Sequence, residues 1–166
     1  MHLNLDCANG GIDESLMQGV SKGLEVCETE KDLQIMHELS SGCGYGRAYN
    51  ILETPLHELE ENIKKQFQTE RVLAYANGKK AIQRVASFCG GGADESAVEF
   101  AVQQNADVMI SSDFKHHVLT LAKEKGLAVI ALTHYASENY GFNKFYKKIC
   151  QGVSLPCAYH VDEDLL

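Results

Sequence analysis

The stretch Asp107-Val-Met-Ile-Ser-Ser-Asp-Phe-Lys-His-His-Val-Leu-Thr-Leu-Ala-Lys-Glu-Lys-Gly-Leu-Ala-Val-Ile-Ala-Leu-Thr-His134 decides the fold. Two short apolar runs flank a segment whose apolar residues recur at helical spacing. A strand, a helix and a strand in that order form a βαβ unit, the usual crossover between parallel strands. The same alternation extends on both sides. Strands are expected over 71–75, 83–88, 107–110, 127–132 and 157–161, and helices over 94–104, 114–125 and about 136–150. The fold class is therefore α/β, with a largely parallel or mixed sheet and flanking helices.

Upstream the pattern is less regular. His2-Leu-Asn-Leu-Asp6 alternates as a short strand would, and Ala8-Asn-Gly-Gly11 supplies a turn before a helix capped by Asp13 and running to about Gly23. A charged, weakly patterned segment continues through Glu38. Ser40-Ser-Gly-Cys-Gly-Tyr-Gly-Arg47 then places glycine at every second position, which excludes ordinary helix. Thr54 as cap, Pro55 in the first turn, and Leu56, Leu59, Ile63 and Phe67 behind them fit an amphipathic helix. The candidate boundary lies near 69–71.

Composition narrows the function. The chain has 166 residues, 45% of them hydrophobic, enough for a sizeable core, and a net charge of −8 without any lysine and arginine stripe. Nucleic acid is thus a poor partner, although one local pocket can still hold a small anion. No apolar run approaches the roughly 20 residues that cross a bilayer, and the first residues lack the basic and apolar regions of a secretion signal. The expected location is cytoplasmic. The six cysteines (Cys7, Cys27, Cys43, Cys89, Cys150 and Cys157) include no Cys-x-x-Cys pair and are expected to be reduced.

Two constellations carry metal-ligand chemistry. Asp113, His116 and His117 follow the strand ending near Ile110, where an open α/β sheet places its crevice. Imidazole and carboxylate are the usual ligands of zinc, iron or manganese. The other reading is an aspartate cap and two surface histidines. His134 and Glu138 follow the next strand at i, i+4, on one helical face, against the alternative of a capping histidine and a solvated glutamate. Two such clusters at neighbouring strand ends favour the metal reading. His2 and Asp6 would stand about 13 Å apart on a straight strand, too far to share an ion without a bend. Cys89-Gly-Gly-Gly92 is either an anion-facing turn or a tight turn for close packing, and Arg47 either an anion clamp or half of an ion pair.

In order, His2-Leu-Asn-Leu-Asp-Cys-Ala-Asn-Gly-Gly-Ile-Asp13, Gly42-Cys-Gly-Tyr-Gly-Arg47, Arg84-Val-Ala-Ser-Phe-Cys-Gly-Gly-Gly92, Ser112-Asp-Phe-Lys-His-His117 and His134-Tyr-Ala-Ser-Glu138 resemble the Nif-three-like family. Its members are also called dinuclear metal centre proteins or GTP cyclohydrolase I type 2 homologues. The resemblance implies two similar α/β lobes, a pair of divalent ions in the cleft and a ring-shaped hexamer. It makes His134, Glu138 and Asp6 metal ligands, with His2 a ligand or near neighbour. His117, Asp113 and, less directly, His116 would line the same cleft as catalytic groups. The family carries a further stretch before the His2 phrase, with an adjacent histidine pair that helps hold both ions, and His116-His117 do not align with that pair. An N-terminally truncated member is expected, in which 1–69 is the remainder of the first lobe plus a connecting segment and 70–166 the second lobe, or the two form one continuous domain. Either the centre of such a member is incomplete, or another chain supplies the rest of its ligands.

The function implied is a metal-dependent hydrolase resembling GTP cyclohydrolase I type 2, acting on a small-molecule or nucleotide substrate. Water activated by the ion would attack the purine C8, with His117 or His116 as proton carrier. The alternatives are a non-catalytic metal-binding regulatory or interaction module, and a structural remnant.

Overall fold

The computed structural model describes residues 2–24 and 32–166. Cys27 and part of the charged segment before Glu38 lie outside the described residues. The strands are β1 (Gln34–Ser40), β2 (Cys43–Pro55), β3 (Leu73–Tyr75), β4 (Ala81–Ser87), β5 (Val108–Ser111) and β6 (Ala128–Ala131). They form one mixed sheet in the order β1-β2-β4-β5-β6-β3. β4, β5 and β6 are mutually parallel, while β1, β2 and β3 join antiparallel. Residues before and after position 70 thus contribute to the same sheet.

The helices are α1 (Leu3–Asp6), α2 (Ile12–Ser21), α3 (Leu56–Phe67), α4 (Glu95–Gln103), α5 (His116–Glu124) and α6 (His134–Gly152). Strand alternation sorts the core into two layers. Val85, Val108, Ile110, Ala128 and Ile130 face Leu16, Val20, Leu59 and Ile63 of α2 and α3, together with Ala136 of α6. Ala86, Met109 and Val129 face Ala97, Val98 and Ala101 of α4 and Val118 and Ala122 of α5. The apolar stripe anticipated for α3 is buried in full. Asp94 caps α4 by accepting from the Ala97 N–H at 2.8 Å.

Four expectations are corrected. His2-Leu-Asn-Leu-Asp6 is a helical turn, since the His2 carbonyl accepts from the Leu5 and Asp6 N–H groups at 2.7 and 3.2 Å. Part of the charged segment, Gln34–Ser40, is an edge strand paired with β2. Thr54 does not cap α3: its hydroxyl donates to the Leu52 carbonyl at 2.7 Å and Pro55 takes the cap position. Residues 157–161 join no strand, because their chain is held along α6 by side chains.

Asp13 also departs from its expected role. It lies in α2 after an N-cap at Gly11 and pairs with Arg47, both side chains fully buried. Its second oxygen accepts from the Cys89 N–H at 3.1 Å, and the Gly46 N–H donates to the first at 3.0 Å. Arg47 is therefore the structural half of an ion pair. Burial pushes the Asp13 carboxyl up to about 6 against the pull of Arg47.

Candidate functional site

Each of the three parallel strands delivers one part of the site at its C-terminal end, where an open α/β sheet places its ligands. After β4 the chain turns through Cys89-Gly-Gly-Gly92, after β5 it presents Asp113, and after β6 it enters α6 at His134. Thr133 caps that helix by accepting from the Ala136 N–H at 3.0 Å. One turn on, Glu138 returns to the same face, and its Oε1 stands 3.0 Å from His134 Nε2. Asp113 Oδ2 bonds the other ring nitrogen, Nδ1.

The imidazole therefore lies between two carboxylates. Asp113 chiefly, and Glu138 after it, hold the His134 pKa above its ordinary value, overriding the partial burial that would lower it.

Gly90 is the floor beneath these groups. At φ +54° its backbone is left-handed, and a Cβ there would collide with Glu138 Oε1 and stand 3.2 Å from His134 Nε2. Its N–H donates to Ser137 Oγ at 3.1 Å, and its carbonyl accepts from Ser112 Oγ and, at 3.4 Å, from Ser111 Oγ. The Cys89 and Gly90 N–H groups are thus spent inside the protein, and the glycine run serves close packing. Gly92 has the same character, because a side chain there would overlap Tyr45, whose hydroxyl donates to the Cys89 carbonyl.

His2, Asp6, His134 and Glu138 border one cavity of about 880 Å3, continued by Tyr135, Phe142 and Tyr159 as an aromatic wall. The helical turn of α1 matters here. Four residues rise about 6 Å along a helix, rather than the 13 Å of a strand, so His2 and Asp6 can face one site. Asp6 is buried, and burial raises its pKa, with Glu138 adding to the rise and His2 and His134 opposing it.

The clusters expected at the two strand ends are brought together only in part. Asp113 reaches His134, but His117 turns away to Glu95, at 2.9 Å on exposed surface. His116 borders a separate groove with Tyr75 and Leu119. Gly90 was singled out only within the Cys89-Gly-Gly-Gly92 run, with two readings open, and Ser111, Ser112 and Ser137 were not anticipated as site residues, although Ser112 and Ser137 stand in two of the phrases that carry the family resemblance.

Imidazole and carboxylate heads meeting over a glycine are a donor set suited to a divalent cation. A carboxylate on Nδ1 fixes the tautomer that leaves Nε2 to ligate. The donors fit such an ion in kind. Among the described residues, however, no group of three or more His, Cys, Asp or Glu is placed so that it could hold a metal ion. Nor is any helix among them long and apolar enough to cross a membrane.

Comparison with known proteins bears on the family and the fold. A protein described as a GTP cyclohydrolase 1 type 2 homolog from Methanocaldococcus jannaschii is 29% identical over 154 residues, covering 93% of this chain and 57% of its own. NGG1-interacting factor 3 of Saccharomyces cerevisiae is 25% identical over 144 residues, 82% of this chain and 49% of its own. The chain thus spans about half the length of the curated relatives it matches. The structure of reduced HcgD from Methanocaldococcus jannaschii superposes with a TM-score of 0.75 at 26% identity, over 93% of this chain and 57% of that one. The sequence profile of Duf34/NIF3 (NGG1p interacting factor 3) matches residues 1–161, and the chain belongs to that family.

Proposed function

We propose that the chain holds a divalent cation, zinc, iron or manganese, at His134, Glu138 and Asp6, with His2 at the rim, and that it is a metal-dependent hydrolase. The observation that carries this reading is the pair of His134 and Glu138 heads meeting over Gly90, with Asp113 on the far ring nitrogen. A bound ion would supply acidified water, its pKa lowered toward about 7. Asp113 orients the imidazole, Asp6 and Glu138 contribute negative charge, and the aromatic wall excludes water from an apolar portion of substrate. The substrate proposed is a small molecule or nucleotide, by analogy with the name of the Methanocaldococcus jannaschii relative. A second ion per centre and self-association into a ring belong to the same proposal. The placement of His116 and His117 outside the cavity gives no support to a proton-carrying role for them, whereas His160 and His2 do border it.

Purification without chelator followed by elemental analysis tests the metal. More than about 0.2 ions per chain is expected, and less overturns the reading. Turnover of GTP or a simple phosphoester with added zinc, manganese or iron, lost in His134→Ala, is expected for the hydrolase. Metal without turnover favours a non-catalytic interaction module, a reading consistent with the name of the Saccharomyces cerevisiae relative.

A further inference from the structure

After α6 the chain doubles back along the same helix. The Asp162 N–H donates to the Tyr135 hydroxyl at 3.0 Å, and the Tyr159 hydroxyl donates to Asn139 Oδ1. The Tyr159 ring stacks on Phe142 with centroids 6.1 Å apart and lies 4.8 Å from Tyr146. The returning segment therefore runs antiparallel to α6. One further turn along the helix from Tyr146, on the same face, is Cys150. Two residues back from Tyr159 in this returning segment is Cys157. The antiparallel run thus sets Cys157 opposite Cys150 near the end of α6, and the neighbouring Cys150 thiol holds the Cys157 pKa above its ordinary value.

We propose that Cys150 and Cys157 form a redox site that closes to a disulfide by exchange with a low-molecular-weight disulfide. Closure fastens the returning segment, and with it Tyr159 and His160 of the cavity wall, to the end of α6. Cys157 is exposed and Cys150 partly covered, so a small oxidant meets Cys157 first. The Cys157 thiolate attacks one sulfur of glutathione disulfide, forming a mixed disulfide and releasing one glutathione thiolate. The Cys150 thiolate then attacks the Cys157 sulfur and displaces the second glutathione. Two protein thiols lose two protons and two electrons, and one glutathione disulfide becomes two thiols. The pair is separate from the other described cysteines. Cys89 is buried beneath Tyr45, and Cys7 and Cys43 lie together where the Gly44 N–H donates to the Cys7 carbonyl at 2.9 Å.

The test is to equilibrate the native full chain with glutathione disulfide, trap free thiols and map the peptides. The expected product is a Cys150–Cys157 cross-link in about tenfold excess over mixed disulfides at either position, because the second step is intramolecular. Cleavage at the exposed Leu155 should leave the oxidised chain in one piece until it is reduced, whereas Cys150→Ser should carry glutathione at Cys157 and fall apart on cleavage. Independent mixed disulfides at both cysteines, a bridge to Cys7 or Cys43 instead, or unmodified thiols would each overturn the proposal.

Discussion

Two pairings of carboxylate with basic side chain lie on either side of the Cys89-Gly90 turn, and they differ in almost every physical respect. Asp13 and Arg47 have no exposed side-chain surface, and Asp13 also accepts two backbone N–H groups. His134 and Asp113 are 47% and 55% exposed, and Glu138, against the other ring nitrogen, is 34% exposed. The first pairing is closed to water and ligand alike and ties α2, β2 and the turn after β4 into one body. The second is open to solvent, with His134 and Glu138 on a cavity wall, and can exchange its internal hydrogen bonds for a ligand. What separates the structural pair from the site is access rather than residue type.

The largest effect expected from breaking this contrast is at the buried pair. Asp13→Ala strands the Arg47 guanidinium without its carboxylate and leaves the Cys89 and Gly46 N–H groups unmet. A loss of about 3–5 kcal/mol is expected, read from urea unfolding. A loss under about 1 kcal/mol would mean that water reaches the pair. Gly90→Ala comes next, because it acts on both sides of the turn. Left-handed backbone costs an alanine about 1–2 kcal/mol, and the new Cβ displaces Glu138, so cation affinity should fall at least about tenfold.

Asp113→Asn probes the exposed pairing alone. Cation affinity is expected to fall by about 10–100-fold with little change in unfolding free energy. The same variant has a pH signature. The folded His134 pKa is raised, chiefly by Asp113, so this group's contribution to stability is fully present below roughly pH 6.5 and is lost as pH rises through the folded value. NMR titration of the imidazole should show the pKa moving down in Asp113→Asn. An unmoved pKa would remove Asp113 from the site. The smallest effect is expected from His117→Ala, which breaks only an exposed contact with Glu95. Stability should change by less than about 1 kcal/mol and cation affinity by less than about twofold.

The legibility of these regions in the sequence follows the range of the interactions. The βαβ units were readable because apolar periodicity is local, and β4, β5 and β6 lie close to where the apolar runs place them. His134 and Glu138 were readable for the same reason, since one helical turn joins them. The Asp113–His134 bond was not, because its partners are 21 residues apart and meet only when Asp113 adopts φ +51°. Asp13 and Arg47, 34 apart, looked like a helix cap and an ambiguous arginine for the same reason. His2-Leu-Asn-Leu-Asp6 alternates as a strand does, yet without a neighbouring strand to pair with, its N–H groups turn back to the His2 carbonyl. The segment over 157–161 shows the converse: its apolar residues suggest a strand, but Tyr159 holds it against α6 rather than in a sheet.

The most direct test of the exposed pairing as a cation site is calorimetric titration of zinc into the wild-type chain and into His134→Ala, with urea unfolding run on both. His134 is half exposed, so the substitution should leave the fold nearly unchanged. The expected result is saturable binding to the wild type that weakens at least about tenfold in the variant at equal stability. Equal isotherms for the two proteins, or no binding to the wild type, would contradict it.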